Sequence, residues 1–427
     1  MKNKKEILEL LKNELELALG CTEPIAVALA SAYARKILGV EPDSIEVHVS
    51  CNVLKNGMGV GIPGTNLIGL PIASALGVVG GVPEAQLEVL KDINSEHILK
   101  AKSYVDNGKV IVKERKGSEK LYIEIVCKKE KNYARVVIQG SHANVVLMEK
   151  DDQIIFDRNE QSSLIIKNNE RLHDVKLSVE EIYTFATTVP IKDIEFLLDY
   201  AEINMALAKE GIKNGYGIQV GKTLMDNISK GYIGDDVVNR AMAFASAASD
   251  ARMSGSCLPA VANSGSGNQG ITVMVPVLVY AEHFQSDKEK LIRALALANL
   301  ISIHIKTHLG RLAALCGVII AATGASTAIT YLSGGSLEQI NSSIKNMAGN
   351  ISGMFCDGAK PGCAMKVATS VNAAAQSSLL AMNGRVISEV EGIIGSCVEK
   401  TIMNLTKLGS EGMLEADKMI LDIMVCK

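Results

Sequence analysis

The spacing of hydrophobic positions changes period twice along the chain. In KKEILELLKNELELALG, Ile7, Leu8, Leu10, Leu11, Leu15 and Leu17 recur at helical spacing between Glu and Lys. This predicts an amphipathic helix over about 5–18 and not a signal peptide. After GCTEP, an apolar stretch predicts a second helix from Glu23 to about Leu38, with Thr22 suited to cap it and Pro24 to its first turn. SIEVHVSC at 44–51 then alternates as a strand does, and KNGMGVGIPGT at 55–65 is too rich in glycine for regular structure. Between 109 and 157, KVIVKERK, KLYIEIVCKK, YARVVIQGSHANVVLMEKDD and QIIFD alternate between charged or glycine turns, as in an antiparallel meander. From about 178, helical spacing takes over again. SVEEIYTFATTV and IKDIEFLLDYAEINMALAKEG lead into Ala-rich helices joined by Gly and Ser loops, chiefly 251–270 and 352–363.

The pattern predicts an α+β chain in two parts. A mixed α/β N-terminal domain over 1–190 carries an inserted antiparallel β module near 109–157, and an all-helical C-terminal domain covers 191–427. The length of 427 residues, more than one hydrophobic core usually organises, agrees with two domains. Neither a solenoid repeat nor a low-complexity tail is present.

Composition narrows the function. Aromatic residues make up 4% with no Trp, and the formal net charge is −3. The chain therefore offers neither a stacking surface for bases nor a basic footprint for nucleic acid or an acidic membrane. A small-molecule partner is the expectation, and a homo-oligomer is compatible with it. The apolar run 312–332 is long enough to span a bilayer, yet its Thr, Ser and internal Gly residues favour a buried helix or helix pair. We therefore expect a cytoplasmic protein. Its nine cysteines are odd in number and widely scattered, which argues against a disulfide framework and leaves buried thiols or metal ligands.

Several stretches can carry chemistry. SGSGNQG at 264–270 lacks the P-loop pattern and follows no clear strand, so a nucleotide is disfavoured. With the apolar helix behind it, the loop offers backbone N–H groups and Ser264, Ser266, Asn268 and Gln269 to an anion such as an amino-acid carboxylate. A tight interhelical turn is the other reading. KNGMGVGIPGT poses the same choice and adds Lys55 and Asn56. No CxxC pair exists, so metal binding rests on the long spacings among Cys316, Cys356 and Cys363. Three thiolates suffice to hold a [4Fe–4S] cluster with one iron uncovered, although a core Cys316 and incidental loop thiols explain the pattern too. Cys21 precedes a helix, whose dipole favours a thiolate there and a lowered pKa despite Glu23; a small buried hydrophobe is the alternative. His304 and His308 share a helical face without the Glu of HExxH, and His142 interrupts a strand pattern where a side chain can be aimed into a cleft.

Together, GCTEPIAVALA, KNGMGVGIPGT, SGSGNQGITVMVPV, LGRLAALCGV and FCDGAKPGCAMKV, in this order from about residue 8 to about residue 415, resemble the L-cysteine desulfidase family. That family is related to the α part of iron–sulfur L-serine dehydratases. The resemblance implies Cys316, Cys356 and Cys363 as ligands of a [4Fe–4S] cluster and Cys21 as the proton acceptor. It implies a pyridoxal-independent β-elimination of L-cysteine to pyruvate, ammonia and hydrogen sulfide. For that reaction we expect the 264–270 loop, with Lys55 or Asn56, to hold the substrate carboxylate, and His142 to reach the cleft. The serine dehydratases place a histidine of a serine-rich motif in the role of base; this chain has GCTEP instead, which favours the desulfidase branch. A dehydratase or deaminase of L-serine or another β-substituted amino acid, and a non-catalytic iron–sulfur sensor, are the alternatives.

Overall fold

The computed structural model describes residues 4–117, 119, 121–158, 177–310 and 313–425. Helix α1 (Lys4–Glu14) ends one turn earlier than its leucine spacing predicts, because Leu15–Ala18 is a strand, β1. Helix α2 (Thr22–Leu38) begins at an N-cap that is Cys21 rather than Thr22. The Thr22 hydroxyl instead donates to the Glu23 carboxylate at 3.2 Å. Strand β2 (Ser44–Val49) is followed by α3 (Cys51–Gly57), β3 (Gly61–Ile62), β4 (Leu67–Ile68) and α4 (Leu70–Gly80). The glycine-rich stretch 55–65 is thus partly regular: it contains the end of α3 and the short strand β3.

Helix α5 (Ser95–Asp106) precedes β5 (Val110–Glu114), β6 (Tyr122–Lys129), β7 (Asn132–Gln139), β8 (Val145–Lys150) and β9 (Gln153–Asp157). Six strands form one sheet in the order β5-β2-β6-β7-β8-β9. Strands β6 to β9 are the antiparallel meander, but β5 runs parallel to β2, which lies between it and β6. The α5 crossover makes that parallel pairing possible. Period-two burial places Ile45, Val47, Val49, Ile123, Ile125 and Cys127 in the core with α2 and α4.

Among the described residues from 177 onward, the regular structure is helical apart from one short strand. The helices are α6 (Val179–Thr188), α7 (Ile191–Ile194), α8 (Phe196–Asn214), α9 (Val220–Ser229) and α10 (Val237–Met253). Strand β10 (Ala260–Asn263) pairs antiparallel with β1 and fastens the N-terminal segment to this half. There follow α11 (Gly267–His283), α12 (Lys288–Leu309), α13 (Gly317–Leu332), α14 (Leu337–Asn350), α15 (Cys363–Met382), α16 (Val398–Lys407) and α17 (Leu414–Val425). The second apolar cluster gathers α1 with these helices, and Gly324 of α13 lets its backbone approach α12: a Cβ there would stand 2.3 Å from the Ala298 carbonyl oxygen. Within the apolar run 312–332, of which residue 312 lies outside the described residues, Gly317–Leu332 form the buried helix α13. None of the described helices is long and apolar enough to cross a membrane.

Candidate functional site

Helix starts gather at one place in the molecule. Cys21 is the N-cap of α2, Cys316 the N-cap of α13 and Cys363 the first residue of α15, and none of these caps makes a side-chain hydrogen bond to its helix. Cys21 shares a small apolar cluster with Val60 and Met253, against which Cys363 packs. The N-terminus of α11 joins them, because Gly317 stands against the Gln269 side chain, 2.4 Å from where its own Cβ would be. First-turn N–H groups lack helical partners and carry the positive end of the helix dipole. Their convergence makes a site for negative charge, whether thiolates or a carboxylate.

The loops are locked together by close backbone approach. Gly358, at φ +85°, leaves room for the Lys55 carbonyl oxygen only 2.2 Å from a hypothetical Cβ. A Cβ on Gly61 would stand 2.6 Å from the Ser254 carbonyl carbon, and the Gly64 N–H donates to the Gly255 carbonyl at 3.0 Å. The stretch 55–65 therefore touches both the end of α10 and the 356–363 loop.

The three candidate ligands approach one another through a β-bridge between Leu315 and Phe355. The Cys316 N–H donates to the Met354 carbonyl at 3.0 Å, and the Cys356 N–H to the Ala314 carbonyl at 2.6 Å. Burial pushes the Cys316 thiol up to about 12, the nearby Cys356 sulfur adds to the rise, and the Val318 N–H opposes it. Burial also raises Cys363, against the Lys360 N–H and the Lys360 charge. Asp357 is partly exposed; its partial burial raises the carboxyl, but the ammonium groups of Lys360 and Lys366 outweigh that and hold it down to about 2. Among the described residues, no three His, Cys, Asp or Glu side chains converge as one metal ion requires. A cluster's thiolates each bind a different iron and stand further apart than the ligands of one ion, and three cysteine thiols near one another have the soft donor chemistry such a cluster requires. Bound iron would supply the positive charge that buried thiols need in order to ionise. His304 and His308 belong elsewhere: His304 Nε2 lies 2.9 Å from the Glu399 carboxylate, and the two rings meet edge to face at 5.0 Å.

Cys21 corrects one expectation. Its thiol is pushed up rather than down, because burial and the adjacent Glu23 charge outweigh Arg252 and any effect of the helix dipole. The thiol donates to Glu23 Oε2 at 3.1 Å, and Asn56 Nδ2 donates to Glu23 Oε1 at 3.0 Å. Burial pushes the Glu23 carboxyl up, but the His142 charge with the Cys21 and Asn56 hydrogen bonds prevails, and it sits below its ordinary value. His142 therefore faces Glu23, at the edge of the site.

The expected carboxylate holders separate. Lys55 is buried but ion-paired with Asp417 of α17 at 2.5 Å, so its ammonium is not directed at a substrate. Asn56 is occupied by Glu23. Ser264 turns its hydroxyl to Asn263 Oδ1 at 3.1 Å, and Ser266 caps α11 by accepting from the Gln269 N–H. The SGSG turn does follow a strand, but β10 pairs antiparallel with β1, so it is not a dinucleotide unit. Asn268 and Gln269 remain at the site.

Arg252 was not legible as a candidate. It lies in the last turn of α10, is 4% exposed, and its Nη1 reaches Asn268 Oδ1 at 3.4 Å. A charged DAR within FASAASDARM, otherwise built of small and apolar residues, was the available signal.

Comparison with known proteins follows this geometry. The serine dehydratase alpha chain family matches residues 84–422, a span that holds the three candidate ligands but begins after Cys21. Over 99% of this chain and 98% of the relative, a UPF0597 protein of Parabacteroides distasonis is 46% identical. A UPF0597 protein of Bacteroides thetaiotaomicron is 45% identical over the same shares, and one of Oleidesulfovibrio alaskensis is 47% identical over 98% of this chain and 97% of the relative. The chain belongs to the serine dehydratase alpha chain family.

Proposed function

We propose that the protein is a pyridoxal-independent carbon–sulfur lyase that converts L-cysteine and water to pyruvate, ammonia and sulfide, with Cys316, Cys356 and Cys363 holding a [4Fe–4S] cluster. The observation that carries this reading is that Cys363 links the other helix-start thiols: it packs against the cluster that holds Cys21 and lies within electrostatic reach of Cys316. Family membership supports an enzyme of the dehydratase or lyase kind.

When bound, the cluster supplies a Lewis-acidic iron free of protein thiolate, which makes the β-sulfur a better leaving group. The protein's own residues do the rest. Asn268, Gln269 and the first N–H groups of α11 orient the substrate carboxylate beside Cys21. Cys21 Sγ takes the Cα proton as a thiolate, its own proton having been lost to solvent as substrate enters, and Glu23, the acceptor of the thiol's hydrogen bond, orients the sulfur. The His142 charge keeps the Glu23 carboxylate ionised, so that it stays an acceptor. Val60 and Met253, both buried, exclude water from the sulfur. The aminoacrylate released tautomerises and hydrolyses to pyruvate and ammonia.

The family's description favours a second reading, dehydration of L-serine at the same residues. Thiolate is the softer ligand and suits iron–sulfur iron better, which is why we place L-cysteine first. Anaerobic incubation of the reconstituted protein with each amino acid decides. Sulfide with pyruvate from L-cysteine supports the first reading, pyruvate from L-serine alone supports the second, and binding with neither product supports a sensor.

A further inference from the structure

We infer that Arg252 binds the substrate's α-carboxylate, and that the site therefore accepts only substrates with a free carboxylate. The inference takes the location of the site from the reading above but not its reaction. Arg252 is enclosed at the end of α10, yet among the described residues it has no carboxylate partner, and its buried Nε has no hydrogen-bond partner. A guanidinium removed from water without an anion carries a large desolvation penalty, which a bound carboxylate relieves. The other cations beside the site are committed: Lys55 to Asp417, and Lys360 and Lys366 to Asp357.

What surrounds Arg252 matches a carboxylate. Its Nε lies 2.2 Å from where a Cβ of Gly267 would stand, so glycine there lets the start of α11 press against the guanidinium. A second donor is also unspent: Gln269 Nε2 is buried with no hydrogen-bond partner, while its Oε1 lies against Gly317, next to Cys316. A planar fork, an amide N–H and a helix N-terminus together describe a receptor for a planar anion. The position fits the chemistry as well. The Arg252 charge reaches the Cys21 thiol, and the next residue, Met253, belongs with Cys21 to the cluster against which Cys363 packs. A carboxylate held here places Cα between the proton acceptor and the cluster ligands.

The test compares L-alanine, which has both ammonium and carboxylate but no β-leaving group, with ethylamine, which lacks the carboxylate. Affinities are measured anaerobically by isothermal titration on the cluster-loaded wild type, Arg252→Gln and Arg252→Lys, each checked for native circular dichroism. The wild type is expected to prefer L-alanine by about 30-fold or more, Arg252→Gln to lose that preference to within about threefold, and Arg252→Lys to fall between them. A preference unchanged in Arg252→Gln, equal affinities in the wild type, or no binding of either compound overturns the inference. Should the preference depend on Arg252 while L-cysteine yields neither sulfide nor pyruvate, the anchor stands and the lyase reading fails. Sulfide release by Arg252→Gln at an unchanged KM for L-cysteine refutes the anchor and leaves the lyase reading intact.

Discussion

Asp250, one turn before the end of α10, is 1% exposed and has only its Oδ2 satisfied, by the Gly221 N–H at 3.1 Å. Burial raises its carboxyl from 3.8 to about 7, against the N–H groups of Gly221 and Val220. Below about pH 3.8 the group is protonated in both folded and unfolded chains. As pH rises, the unfolded chain ionises first while the folded carboxyl keeps its proton to about 7, so folding binds a proton throughout that window. Stability falls by about 1.4 kcal/mol per pH unit there, about 4 kcal/mol in total, and levels off above about pH 7. Asp250→Asn keeps an acceptor for Gly221 and removes the ionisation. Equilibrium urea unfolding, followed by circular dichroism, should show the variant gaining about 2–3 kcal/mol on the wild type between about pH 5 and about pH 7.5. Two curves that stay parallel across that range refute the reasoning, because they show that the carboxyl has the same pKa folded and unfolded.

Four further substitutions test other parts of the account. The Lys55–Asp417 pair is asymmetric, with side chains 2% and 20% exposed, so Asp417→Asn, which strands a buried ammonium, should cost about 3 kcal/mol and Lys55→Met clearly less, read by urea unfolding. Gly358→Ala adds a Cβ at positive φ against the Lys55 carbonyl and should destabilise by at least about 2 kcal/mol; a thermal midpoint equal to the wild type contradicts the loop packing. Cys21→Ser should abolish sulfide release while leaving the broad absorbance near ~400 nm expected of thiolate-bound iron clusters, and loss of that absorbance instead would remove Cys21 from the role of proton acceptor.

Local periodicity made much of the fold legible. Strands β2 and β6 to β9 and the helices from α6 onward follow directly from alternation or from three-and-four spacing. Residues 15–18 were misread because LELA continues the leucine repeat of α1, and its pairing with β10 is a contact across the sequence that no local pattern contains. The direction of β5 failed for the same reason: VIVKE alternates whether its neighbour runs parallel or antiparallel. Of the nine cysteines, Cys21, Cys316, Cys356 and Cys363 were singled out by the family resemblance, since spacing alone left each open to a structural reading. The Lys55–Asp417 ion pair was invisible because Asp417 lies in the last helix, and the burial of Arg252 without a carboxylate partner among the described residues is visible only in three dimensions. The helix-dipole argument for a lowered Cys21 pKa failed because burial and Glu23, acting at hydrogen-bond distance, outweighed it.

The central claim is tested most directly by product stoichiometry. Anaerobically reconstituted protein is incubated with L-cysteine in the absence of pyridoxal phosphate, and sulfide and pyruvate are measured together over time. The account predicts that both appear in equal amounts, catalytically and only with the cluster present; a cluster-loaded protein that releases neither contradicts it.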